Sequence, residues 1–130
     1  MNCLLVDDEP LLLRHLERVV SEVLGQSEIR SFILPYEAAA CADTMHFDIA
    51  FLDIQMRGMD GLTLAKILTE KNPEINIIFC TGYSEYALEA FNAYASDYLV
   101  KPITADQLRR SLQHLRHPLT INKRVRFHCF

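Results

Sequence analysis

The sequence predicts an α/β fold, a five-stranded parallel sheet covered by helices on both faces. Three observations lead there. Short apolar runs alternate with segments of helical periodicity along the 130 residues. The runs are apolar on both faces, as strands buried beneath two helical layers must be. Each pair of runs is separated by enough chain for a crossover helix, the connection that parallel strands require.

The elements follow in order. Residues 2–6 are a buried strand. Pro10 then suits the first position of a helix, in which Leu12, Leu16, Val19 and Val23 recur at helical spacing and Leu13, Val20 and Leu24 widen the stripe. Gly25 ends it as a C-cap. Residues 28–34 read as a second strand and the alanine-rich 36–44 as a short helix. Residues 48–52 form a third strand ending at Asp53, and a loop follows over 54–61. Residues 62–71 are helical until Asn72-Pro73 stops them. Residues 75–80 are a fourth buried strand, ending at Thr81-Gly82. Ser84 is placed to cap a helix that runs to about 91. Residues 97–100 are a fifth strand, followed by Lys101-Pro102. Thr104-Ala105-Asp106-Gln107 fits a capping box, and Leu108, Leu112 and Leu115 mark a last helix ending near Pro118.

Composition narrows the function. Half the residues are hydrophobic and 23% charged, an ordinary globular balance. No apolar run reaches the 18 residues of a membrane span, and the N-terminus lacks a basic start, so a cytoplasmic protein without membrane contact is expected. Cys3, Cys41, Cys80 and Cys129 contain no Cys-x-x-Cys pair and read as reduced thiols. The five histidines show no zinc spacing. The net charge of −4 hides an asymmetry: all 17 acids lie in residues 1–106, whereas 107–130 carry six bases and no acid. Six bases without interleaved aromatics are a weak nucleic-acid footprint, and cations near a helix C-terminus are favourable in any case.

The chemistry lies at the strand ends. The first run ends in Asp7-Asp8, the third in Asp53 and the fourth in Thr81, while Lys101 follows the fifth. Open parallel α/β sheets build their sites outside the carboxyl ends of the strands, so these five groups are expected to converge. Taken singly each has a plain alternative: a capping acid, a turn residue, a solvated loop lysine. Together, three carboxylates in one pocket demand a cation. Hard oxygens suit Mg²⁺, a lysine suits a phosphate, and a carboxylate nucleophile beside both is what phosphoryl transfer to an aspartate requires.

Leu5-Val6-Asp7-Asp8-Glu9-Pro10, Leu52-Asp53-Ile54-Gln55-Met56, Gly58-Met59-Asp60-Gly61, Thr81-Gly82 and Asp97-Tyr98-Leu99-Val100-Lys101-Pro102 resemble the response-regulator receiver domain of two-component signalling over residues 1–116. The resemblance implies a flavodoxin-like, doubly wound sheet in the order 2-1-3-4-5 with five helices. It implies Asp53 as phosphoacceptor, served by a sensor histidine kinase. Mg²⁺ would be held by Asp8, Asp53 and the Gln55 carbonyl, with Asp7 acting through water. Thr81 and Lys101 would meet the phosphoryl group, and Thr81 and Tyr98 would form the switch. The Lys101-Pro102 bond resembles one that is usually cis. A homodimer is expected through the face of the fourth helix, fifth strand and fifth helix. Such a domain catalyses only its own phosphotransfer and dephosphorylation. Arg57 departs from the family, which usually has proline there.

Residues 117–130 are expected to be a linker and the start of a truncated C-terminal effector domain. Residues 125–130 alternate like a first strand of a SARP-type winged-helix domain, with a LytTR-type domain as second choice, and DNA would be bound only through that missing part. Three rival functions are weaker. A small-molecule phosphatase would place an acid where Gln55 stands. An FMN binder would need a serine- and glycine-rich loop where Asp7-Asp8-Glu9-Pro10 stands. A stand-alone receiver acting by protein contact is opposed only by the interrupted strand.

Overall fold

The computed structural model describes residues 1–25, 27–93, 95–117 and 119. Strands β1 (Asn2–Val6), β2 (Glu28–Phe32), β3 (Ile49–Leu52), β4 (Asn76–Thr81) and β5 (Asp97–Val100) alternate with helices α1 (Pro10–Leu24), α2 (Pro35–Cys41), α3 (Gly61–Lys71), α4 (Ala87–Asn92) and α5 (Ala105–Ser111). All strand pairs are parallel, in the order β2-β1-β3-β4-β5. This is the flavodoxin-like arrangement that the resemblance implied.

Alternation along the strands divides the core in two. Leu4, Val6, Ala50, Leu52, Ile77 and Phe79 face Ala38 of α2, Leu64, Ala65 and Leu68 of α3, and Ala90 of α4. Cys3, Leu5, Ile49, Phe51, Ile78 and Cys80 face Leu13, Leu16, Val19 and Val20 of α1 and Leu108 of α5. A period of two therefore feeds both layers from one strand. The central strands β3 and β4 are buried throughout, while β2 and β5, at the edges, are half-exposed.

Local chemistry sets most boundaries where expected. Pro10 opens α1, and Gly25 closes it at φ 58°. Thr104 and Gln107 form a complete capping box on α5, and the Lys101-Pro102 bond is cis. Three expectations need correction. The second strand stops at Phe32, because Pro35 opens α2 only three residues later and leaves Ile33 and Leu34 exposed. Ser84 does not cap α4: Ser84–Tyr86 form a 3₁₀ turn whose N-cap, Tyr83, offers no side-chain bond. The last helix gives way at Leu112 to a 3₁₀ turn, Leu112–His114. The expected strand over 125–130 lies outside the described residues.

The segment after that turn is pinned at the amino end of β4. The buried Asn76 side chain pairs with both the carbonyl and the N–H of His117, at 2.8 and 2.9 Å. Ser96 Oγ donates to the same Asn76 oxygen and accepts from the Arg116 N–H.

Candidate functional site

Ladder hydrogen bonds carry three acidic or basic side chains to one edge of the sheet. The Asp7 N–H bonds Phe32, the Asp53 N–H bonds Val6, and the Lys101 N–H bonds the Thr81 carbonyl at 2.8 Å. Each residue thus stands at a strand's carboxyl end beside a neighbouring strand's end. Asp7, Asp8 and Asp53 offer carboxylate oxygens that all lie within 4.8 Å of one another. The Lys101 ammonium reaches into the cluster and bridges Asp7 Oδ2 at 2.6 Å and Asp53 Oδ2 at 3.1 Å. Asp7 is 1% exposed and Asp53 8%, so both depend on these partners and not on water.

Backbone donors fix the remaining oxygens. Asp53 Oδ1 accepts from the Ile54 N–H at 2.7 Å, and Asp7 Oδ1 from the Glu9 N–H at 3.0 Å. Asp8 receives no lysine. Its Oδ2 accepts from the Arg57 N–H at 3.1 Å, with the Arg57 Nε 3.6 Å away. The loop carrying Arg57 is held close by Gly61, whose N–H bonds the Ile54 carbonyl at 2.7 Å. A Cβ on Gly61 would stand 1.9 Å from the Asp53 carbonyl oxygen.

Charge balance follows from this geometry. Burial pushes the Asp7 carboxyl above its ordinary range, against the pull of the Lys101 hydrogen bond. Burial works against the Lys101 ammonium, but the hydrogen bond to Asp7 and the charge of Asp53 prevail and raise its pKa. Lys101 is therefore firmly protonated, and one ammonium serves two buried carboxyls. Such a site favours a further cation. Three carboxylates, without a thiol or imidazole among them, suit a hard divalent ion such as Mg²⁺. Directly behind the site, burial holds the Cys80 thiol far up and protonated. At the other end of the sheet Cys3 is raised to about 11. Cys3, Cys41 and Cys80 are free thiols, and Cys129, also expected to be reduced, lies outside the described residues.

Of the five predicted groups, the structure brings Asp7, Asp8 and Asp53 together, with Lys101 bonded to Asp7 and Asp53. Thr81 is wholly buried at the adjacent strand end, where its hydroxyl accepts from the Tyr83 N–H at 3.4 Å. Tyr98 is half-buried against Phe79, and its hydroxyl donates to the Tyr83 carbonyl. Both switch candidates therefore bond the backbone of one residue, Tyr83: Thr81 through its N–H and Tyr98 through its carbonyl. Gln55 lines the pocket mouth with Asp8, Arg57 and Tyr83, and its amide donates to the Tyr86 hydroxyl at 2.7 Å. Sequence reasoning missed the Arg57–Asp8 and Gln55–Tyr86 contacts. Only the charge of Arg57 hinted at the first, and nothing in spacing signals the second.

A family model described as the response regulator receiver domain matches residues 3–113. The chain is 41% identical over 119 residues to the positive alginate biosynthesis regulatory protein of Pseudomonas aeruginosa, covering 91% of this chain and 48% of that protein. It is 36% identical over 119 residues to the transcriptional regulatory protein BtsR of Salmonella typhi, with 89% and 48% covered. The chain spans about half the length of these curated relatives. Among solved structures, response regulator TrrA of Thermotoga maritima, in complex with Mg²⁺ and BeF, is similar at a TM-score of 0.76 and 30% identity, covering 86% of this chain and 96% of that one. A CheY-like receiver domain protein of Methanospirillum hungatei shares the fold at the same TM-score and 24% identity, with 86% and 90% covered.

Proposed function

The chain belongs to the response regulator receiver family, and from that premise we propose that Asp53 accepts a phosphoryl group from a partner histidine kinase. The observation that carries this reading is the convergence of three carboxylates within 4.8 Å around a lysine that touches two of them. Asp53 attacks the phosphorus of a phosphohistidine whose other ring nitrogen is protonated; the P–N bond breaks, an acyl phosphate forms and the ring, keeping that proton, leaves as neutral imidazole. Lys101, already 3.1 Å from Asp53, moves its charge from the free carboxylate to the oxygens of the incoming group. The Ile54 N–H keeps the acceptor carboxylate in one orientation throughout.

Mg²⁺ would be held by Asp8, Asp53 and the Gln55 carbonyl, with Asp7 acting through water. When bound, it supplies neutralisation of the charge spread over the phosphoryl oxygens. The Mg²⁺ named in the complex of TrrA supports this reading.

The new group carries about −2 charge and three acceptor oxygens. Thr81 moves toward it and releases the N–H of Tyr83, the residue whose carbonyl Tyr98 holds. The 3₁₀ turn and α4 follow Tyr83 directly, so the change reaches the face of α4, β5 and α5. Leu88, Phe91 and Val100 are exposed there, an apolar surface that supports a homodimer. The domain catalyses only its own phosphorylation and dephosphorylation. The output is transcriptional and cytoplasmic, exerted on DNA through sequence beyond residues 1–116. The names and greater length of the relatives support that output, and among the described residues no helix is long and apolar enough to cross a membrane.

The test is phosphotransfer from a labelled phosphohistidine donor. Asp53→Asn is expected to abolish acid-labile, hydroxylamine-sensitive labelling, and undiminished labelling would place the acceptor elsewhere.

A further inference from the structure

Lys101 serves Asp7 and Asp53, and the counter-cation of Asp8 is Arg57. Both Arg57 donors converge on one atom, Asp8 Oδ2: the backbone N–H at 3.1 Å and the Nε at 3.6 Å. The Asp8 carboxylate belongs to the cluster able to take a divalent ion, and its side chain is only 17% exposed. An ion arriving at Asp8 therefore meets a carboxylate that already accepts one hydrogen bond and faces a positive charge.

Resting on the Mg²⁺ reading above, we infer that Arg57 is a resident competitor for the metal, occupying Asp8 in the metal-free protein and weakening divalent-cation binding until it is displaced. The guanidinium is well placed to yield. Its side chain is 91% exposed, so leaving Asp8 costs it little solvation or packing. The same exposure bounds the effect, since exposed ion pairs change equilibria by small factors. Arg57 tunes metal affinity by a few-fold and does not close the site. Proline at this position would supply neither donor.

Mn²⁺ binding tests the inference, with free ion counted by electron paramagnetic resonance and Mg²⁺ used as competitor. Arg57→Gln keeps the backbone N–H and removes the charge. It should bind Mn²⁺ about two- to fivefold more tightly than wild type at low salt. That gain should shrink near 1 M salt, where the screening length falls to about 3 Å. Arg57→Lys should stay near wild type. Arg30→Gln, which removes an equal charge from an exposed pair on β2, should leave affinity unchanged. Equal or weaker binding by Arg57→Gln overturns the inference, and so does an equal gain in Arg30→Gln. Asp8→Asn separates the two levels: if wild type binds no Mn²⁺ in an Asp8-dependent way, the metal reading itself has failed.

Discussion

Gly61→Ala puts one methyl group against the backbone of Asp53, the proposed phosphoacceptor. The added Cβ would lie 1.9 Å from the Asp53 carbonyl oxygen, 2.8 Å from its carbon and 3.0 Å from the Ile54 Cα, whereas ordinary contact begins at 3.4 Å. The shortfall at the oxygen is about 1.5 Å, and main-chain atoms cannot rotate aside as a side chain does. Either α3 or the 53–54 segment must shift, which also strains the 2.7 Å bond between the Gly61 N–H and the Ile54 carbonyl. Overpacking of this kind costs about 3 kcal/mol or more. A displacement near 1 Å at a reacting group lowers rates about 100-fold. Urea unfolding and phosphotransfer, run on the same preparation, read both quantities. Gly82→Ala is the control, because its Cβ would meet nothing within 4 Å, and it should change stability by less than about 0.5 kcal/mol. Wild-type stability together with wild-type labelling in Gly61→Ala would refute the reasoning.

Three further outcomes follow from the same geometry. Asp7 has a folded pKa above its ordinary 3.8, so the native state holds this proton more tightly than the unfolded chain. The stability it contributes is complete below pH 3.8 and is lost as pH rises through the folded pKa. Asp7→Asn should flatten that decline in urea midpoints measured from acid toward neutrality. Mg²⁺ at 100 times its Kd should stabilise the protein by about 2.7 kcal/mol in thermal or urea unfolding, an effect that Asp8→Asn should remove. Asn76→Ala should cost about 2–3 kcal/mol, through the unmade partners of a buried amide. Hydrogen exchange should find the His117 N–H, now bound to Asn76, exchanging at least about tenfold faster, since 1.4 kcal/mol already corresponds to a factor of 10.

The fold was legible because its signals repeat. The buried runs at 2–6, 48–52 and 75–80 can only be central strands, and Pro10, Gly25 and the Thr104–Gln107 box punctuate the helices through backbone chemistry that acts locally. The acidic cluster was legible for a topological reason, since strand ends in a parallel sheet share one edge. What escaped reading depends on side chains from remote positions. Asp8 and Arg57 are 49 residues apart, Gln55 and Tyr86 31, and Asn76 and His117 41. No periodicity records such meetings. Ser84 misled for the opposite reason. Serine is a good cap by type, but the chain enters α4 through a 3₁₀ turn and gives its hydroxyl no helical N–H to accept from. Asn76, a polar residue within the apolar run of β4, carries no periodic signal, and its partners include His117, near the far end of the described residues.

Thr81 and Asn76 are the two tips of β4. The strand is six residues long, tips included, a span of about 17 Å at the usual rise. All six are buried; the first four pair with β3 and the last four with β5, so Ile78 and Phe79 are held on both sides. The same strand therefore carries a buried hydroxyl beside the acidic edge at one end and the anchor of the His117 backbone at the other.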